Sequence, residues 1–164
     1  MQVKNVWKVI PVAKFASLTE LVKAMEGIGI NFGWHAGRLL KAIEGKFSLP
    51  TQETNVAVVT NETLSLGPAV PLTQFYQEAV SQGYKLCTPE LGLLTRLAFL
   101  PGEQVELQEL WWIYIAMEPV LLDDGKSYIF RIAVGTRGAR FDAVDVDASA
   151  ESEAKDKWLF EASE

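Results

Sequence analysis

Residues 110–134, LWWIYIAMEPVLLDDGKSYIFRIAV, decide what kind of fold this chain makes. Two runs rich in aromatic and β-branched residues flank Asp124-Gly125, a pair that favours a tight reversal between antiparallel strands. With those two residues at the centre of the turn, Trp112 faces Arg137, Tyr114 faces Gly135 and Glu118 faces Arg131. Trp112, Tyr114, Glu118, Arg131 and Arg137 then share one face, while Trp111, Ile113, Ile115, Met117, Phe130, Ile132 and Val134 line the other. The second face is a core wall. The first mixes rings with charge and is a candidate surface for a planar or anionic ligand, or for a partner, through stacking and a guanidinium fork. The plainer alternative is a cross-strand ion pair with an aromatic ring packed under an arginine. Pro119 has no amide hydrogen to give a ladder, and a bulge beside it would shift the register and remove the Glu118–Arg131 pair.

Strand patterns continue outward from this hairpin. RFDAVDV (140–146) and WLFE (158–161) are β-rich runs, ASAESEAKD (148–156) reads as a solvated loop, and VWKVI (6–10) and VAVVT (56–60) are short strands, the first stopped by Pro11. The remainder is helical. Ser17-Leu18-Thr19-Glu20 matches a capping box, followed by Leu18, Leu21, Val22 and Met25 at helical spacing, and Gly27 ends that helix. GIGINFGWHAGRLL (27–40) then reads as the elbow and first turns of a second helix, with Asn31 as its N-cap and Gly45 beyond its end at Glu44. Phe32, Ala36, Leu39, Leu40 and Ile43 form the core face of this helix, which puts Trp34, Arg38 and Lys41 on the opposite side. A third helix is predicted over 72–82. A fourth, short helix through LGLLTRLAF follows Thr88-Pro89-Glu90, an N-cap, a proline at the first helical position and an acid in the first turn, with strand the alternative for its last, β-compatible part. Helices early and strands late predict an α+β fold, its helices, including an N-terminal αα-hairpin, packed on a mainly antiparallel sheet.

The polar stretch SLPTQETN (48–55) is the candidate boundary between a strand-plus-hairpin module at 1–48 and an α+β module at 56–164, the two co-folding as one unit. Charge divides at the same place: residues 1–50 carry seven Lys/Arg and three acids, +4, whereas residues 51–164 carry eight and eighteen, −10. The two halves are expected to attract each other, because no run of clustered Lys/Arg marks a nucleic-acid patch.

Few features of the sequence point to chemistry. The glycines of 27–37 follow a helix instead of a strand and carry the wrong spacing for a dinucleotide loop, and no Lys-Ser/Thr pair completes a P-loop. A helix-turn-helix DNA reader built on Arg38 and Lys41 is a further reading, opposed by Gly33 and Gly37 within the reading helix and by the net charge of −6. One histidine, His35, and one cysteine, Cys87, are too few for a metal site, and DAVDVD lacks the calcium-loop pattern. A Cys87–His35 dyad has the right residue types, with nothing in the sequence to bring them together. No cofactor and no metal are expected. The lysine-studded start lacks the apolar core of a secretory signal, the eight-residue run LWWIYIAM is too short to span a bilayer, and the lone cysteine suits a reducing compartment. The expectation is a cytoplasmic protein with no membrane partner.

VWKVI, LTELVKAMEGIGINFGWHAGRLLKAI, FYQEAVSQGYKLCTPELGLLTRLAF and IYIAMEPVLLDDGKSYIFRI together resemble a loose group of small uncharacterised bacterial proteins with an I-A-M-E-P hairpin and an acidic-Gly turn. The chain departs from that group at LPGEQVELQE and ASAESEAKDK. The resemblance implies one co-folding unit and a bacterial origin, and it brings no activity, substrate or catalytic residue.

The sequence therefore predicts a non-catalytic binding or interaction protein, whose partner is another protein or a small molecule. The residues expected to make the contact are Trp112, Tyr114, Glu118, Arg131 and Arg137 on the hairpin, or Trp34, Arg38 and Lys41 on the second helix. A small enzyme with its pocket between helices and sheet, using Glu118, Arg131, His35 or Cys87, is the alternative. Outward tryptophans also make self-association an expectation.

Overall fold

The computed structural model describes residues 6–98, 111–134 and 140–162. In chain order the elements are β1 (Lys8–Ile10), α1 (Leu18–Gly27), β2 (Asn31–Phe32), α2 (Trp34–Ile43), β3 (Thr54–Val59), β4 (Ala69–Pro71), α3 (Leu72–Ser81), α4 (Pro89–Leu97), β5 (Trp111–Ile115), β6 (Val120–Leu121), β7 (Ser127–Val134), β8 (Arg140–Val146), β9 (Glu151–Glu153) and β10 (Lys157–Glu161). Eight strands form one sheet in the order β1-β3-β10-β5-β7-β8-β2, with β6 beside β7. The sheet is mainly antiparallel, with parallel pairings of β10 to β5 and of β2 to β8. The fold is α+β. Strands from both sides of residues 48–55 belong to this one sheet, since β1 pairs β3 and β2 pairs β8.

The chain reverses where the sequence places the turn, but through a longer loop. Leu122 and Lys126 close it, with the Leu122 N–H donating to the Lys126 carbonyl at 2.9 Å and the Gly125 N–H to the Leu122 carbonyl at 3.1 Å. Gly125 sits at φ +80°, where an L side chain is strained, as a three-residue hairpin with a glycine bulge requires. Pairing runs through Leu121↔Ser127, breaks over residues 116–119, and resumes with Tyr114↔Arg131 and Trp112↔Ala133. Tyr114 therefore faces Arg131 and not Gly135, and Glu118 is exposed beyond the ladder, so the expected Glu118–Arg131 pair does not form. The cause is local. The Ala116 N–H is claimed by Leu159 of β10 at 3.0 Å and its carbonyl by the Cys87 N–H at 2.7 Å, while the Phe130 N–H meets the Met117 sulfur at 3.5 Å. With Pro119 unable to donate, the segment has no ladder left to make.

The two N-terminal helices are present, joined through a piece of sheet. Ser17 Oγ accepts from the Glu20 N–H at 3.2 Å, a cap worth about 1 kcal/mol, and the Glu20 carboxylate reaches back to the Ala16 N–H at 2.7 Å. Asn31 and Phe32 do not start α2. They form β2 on the edge of β8, and Gly33 takes the N-cap position. Phe32 packs on Phe141 with ring centroids 5.7 Å apart. α4 starts as its sequence dictates, with the Thr88 hydroxyl accepting from the Leu91 N–H at 3.3 Å and Pro89 in the first turn.

Strand alternation sorts the two faces of the sheet. On one, Ile113, Ile115, Phe130, Ile132 and Phe141 are fully buried. Gly92 of α4 lies so close to Ile115 that a Cβ there would touch it, and His35 of α2 stacks on Tyr128 of the same face. On the other face, Phe75 of α3 packs against Trp158 and Phe160 of β10 with centroids 5.8 and 5.9 Å apart. Residues 148–156 are not wholly loop: β9 pairs antiparallel with β4 as a two-stranded ribbon.

Candidate functional site

The hairpin cluster is built around Arg131. Its guanidinium lies 3.8 Å above the centre of the Trp112 ring, Tyr114 stands directly across the ladder, and its carboxylate partner is Asp142 of β8 at 3.7 Å. Arg140 approaches the same Asp142 oxygen at 3.9 Å. Tyr114 in turn packs on Trp158 at 4.8 Å. Trp112, Tyr114 and Arg131 thus meet as expected, whereas Glu118 belongs elsewhere and Arg137 lies outside the described residues. What forms is an arginine packed over a tryptophan and paired with a neighbouring strand, with each member partly or largely buried.

The second cluster gathers on α2 at the turn end of the sheet. Alternation of residues along β7 puts Tyr128 and Arg131 on opposite faces, so the two candidate clusters do not share a surface. Trp34, the first residue of α2, is 75% exposed. Arg38, one turn on, lies with its guanidinium 5.0 Å from the Trp34 ring centre and 5.6 Å from that of Tyr128. Its two terminal nitrogens reach Asp123 Oδ1 at 2.7 Å and Asp124 Oδ2 at 3.4 Å. The Tyr128 hydroxyl donates to Asp124 Oδ2 at 2.6 Å, the Lys126 N–H donates to Asp124 Oδ1 at 3.0 Å, and the His35 ring stacks on Tyr128 at 5.3 Å. The first helix turn, the hairpin turn and the start of β7 are tied together in this way.

Electrostatics follow the contacts. Asp123 holds Arg38 above the ordinary guanidinium range. The Tyr128 hydroxyl and then the Lys126 amide hold the Asp124 carboxyl below the usual carboxylate range, and Asp124 raises the Tyr128 phenol. The sequence reading missed Asp123, Asp124 and Tyr128 as members of this cluster. The only signal available was the opposite charge of the two halves. Lys41, grouped with Trp34 and Arg38 by helical spacing, is exposed and instead lines an open groove of about 240 Å³ between α1 and α2, floored by Leu18, Val22 and Leu40.

Cys87 is buried, donates to the Leu159 carbonyl at 3.4 Å, and burial pushes its thiol well above the usual range, which opposes thiolate chemistry. His35 is engaged by Tyr128 and by the edge of Trp34 at 5.2 Å. Among the described residues no three His, Cys, Asp or Glu side chains converge as a metal would require. A buried polar network lies under the ribbon: Ser152 Oγ donates to Asn61 Oδ1 at 2.7 Å and accepts from Trp158 Nε1 at 3.1 Å, and the Asn61 amide donates to the Gly67 and Ser152 carbonyls, each at 2.9 Å.

Set against known proteins, the chain matches no family model, no curated protein and no solved structure.

Proposed function

We propose that the protein is a non-catalytic interaction module that docks a partner protein on the α2 edge, with Trp34 as the anchor. One observation carries the reading: a tryptophan three-quarters exposed is braced on its inner side by an arginine that two aspartates hold in place. Tryptophan is among the residues that contribute most to interface affinity, and an anchor already fixed in the free protein loses little entropy on binding. The hairpin cluster serves less well, because Arg131 is already paired with Asp142 and packed over Trp112. A reducing, cytoplasmic setting accompanies the proposal, on the strength of a single, buried cysteine. Among the described residues no helix is long and apolar enough to cross a membrane.

A photo-crosslinking residue placed at the exposed position 37, one helical turn from an intact Trp34, in the producing cell tests this. The expected result is a discrete adduct with a second polypeptide, lost when Asp123 and Asp124 are both replaced by Ala. Adducts no different from those of a probe at the exposed Glu62 would overturn the reading, and a product containing this chain alone would replace an outside partner with self-association.

A further inference from the structure

We propose that Arg131 and Arg140, on the opposite face of the sheet from Trp34, form a binding site for a small oxyanion, the phosphate or carboxylate group of a low-molecular-weight ligand. The site is independent of docking at the α2 edge.

Strand register brings the two arginines together. Trp112, Ala133 and Arg140 stand side by side across β5, β7 and β8, and Tyr114, Arg131 and Asp142 form the adjacent row. Residues two apart on a strand share a face, so all six side chains rise from one surface. Ala133 is the small member of this group, with Trp112, Arg131 and Arg140 as its neighbours. α3 lies on the same face, but it packs on Trp158 and Phe160 of β10, two strands away from β7. The Arg131 side chain keeps 23% of its surface in solvent and that of Arg140 57%.

The hydrogen bonding of this pair is incomplete. Asp142 Oδ2 lies 3.7 Å from Arg131 Nη2 and 3.9 Å from Arg140 Nη2, near enough for ionic attraction and too far for a hydrogen bond. Asp142 Oδ1 is committed to the Ala143 N–H at 2.8 Å. Arg131 Nε is buried and meets no acceptor among the described residues. Native proteins rarely leave a buried N–H in that state. A guanidinium presents its N–H donors as a planar fork that matches the oxygens of a phosphate or carboxylate. The Arg131 fork is already fixed, lying 3.8 Å over the Trp112 ring, so it loses little freedom when an oxyanion arrives.

Charge selects the sign of the ligand. Two guanidiniums set against the one carboxylate of Asp142 leave a local excess of positive charge, on a chain whose net charge is −6. Acids elsewhere on the surface are screened over about 10 Å at 0.1 M salt, so the two arginines decide what this spot attracts. A cation gains nothing here.

The test follows the arginine Nε–Hε signals by NMR while inorganic phosphate, and separately acetate, replaces chloride at constant ionic strength and neutral pH. Arg131→Lys identifies the Arg131 signal. A saturable shift of that signal with at least one of the two oxyanions is expected, the one that saturates naming the ligand group. Arg140→Ala removes an exposed side chain and should weaken the binding at least about tenfold, whereas Lys155→Ala, which removes a cation from a different turn, should leave it unchanged. A linear drift shared by all arginine signals, or an equal affinity in Arg140→Ala, would overturn the site. The titration of the wild-type protein decides the matter alone if a variant misfolds.

Discussion

Arg38 donates to Asp123 at 2.7 Å across 85 positions of sequence, joining the basic first third of the chain to its acidic remainder. Asp123 is almost fully exposed, so the pair contributes little to global stability, as surface ion pairs do. Its effect is on order. Arg38→Ala should lower the melting temperature only slightly yet release Trp34, seen as faster local motion in Trp34 fluorescence anisotropy. A large drop in stability with unchanged Trp34 motion would mean that Arg38 serves the core and not the surface.

Acid should undo the same cluster. The Asp124 carboxyl is held below its unfolded value by the Tyr128 hydroxyl and the Lys126 amide. Its stabilising contribution is therefore complete above the ordinary carboxylate value, about 4, and is lost as pH falls through the depressed value. Wild-type stability should fall off at the acid end, and Asp124→Asn should flatten that limb. An acid limb of the same shape in the variant would remove Asp124 from the explanation.

Gly33 lies against the Asp142 carboxylate, so closely that any Cβ would collide with it. Asp142 has little room to yield, since one oxygen accepts from the Ala143 N–H at 2.8 Å and the other faces Arg131. Gly33→Ala should cost about 1–3 kcal/mol as an overpacking change, measured by denaturant unfolding. The same substitution made in an Asp142→Ala background should cost much less. Equal costs in both backgrounds would show that the contact is not the reason for the glycine.

Ser152 joins the ribbon of β4 and β9 to the sheet through Asn61 and Trp158. Ser152→Ala leaves Asn61 Oδ1 and Trp158 Nε1 buried with one partner fewer, and it should destabilise by about 1–3 kcal/mol. Ser152→Thr, which keeps the hydroxyl, separates loss of the hydrogen bonds from loss of fit. A neutral Ser152→Ala would mean that water takes over the network.

Much of the fold was legible locally. Ser17 and Thr88 cap α1 and α4 as their side-chain chemistry requires, and the periodicity of residues 72–82 is that of α3. What was not legible depends on distant strands. The register of the hairpin turns on Ala116, whose backbone is claimed by Leu159 and Cys87, and no pattern within residues 110–134 reports that competition. β2 and β9 are two- and three-residue strands hidden in an elbow and a charged loop, and they exist only because β8 and β4 offer edges to them. Of the candidate site, helical spacing correctly turned Trp34 outward. It could not show that Arg38 folds back over Tyr128, because the aspartates that hold it lie in the other half of the chain.

Docking at the α2 edge requires Trp34 to stand ready in water in the unbound monomer. The difference in emission between wild type and Trp34→Phe, recorded at concentrations where light scattering reports a monomer, isolates that one ring. A red-shifted difference spectrum, readily quenched by acrylamide, is the predicted result. A blue-shifted, unquenchable one would put the ring inside the protein and contradict both the anchor and the surface built around it.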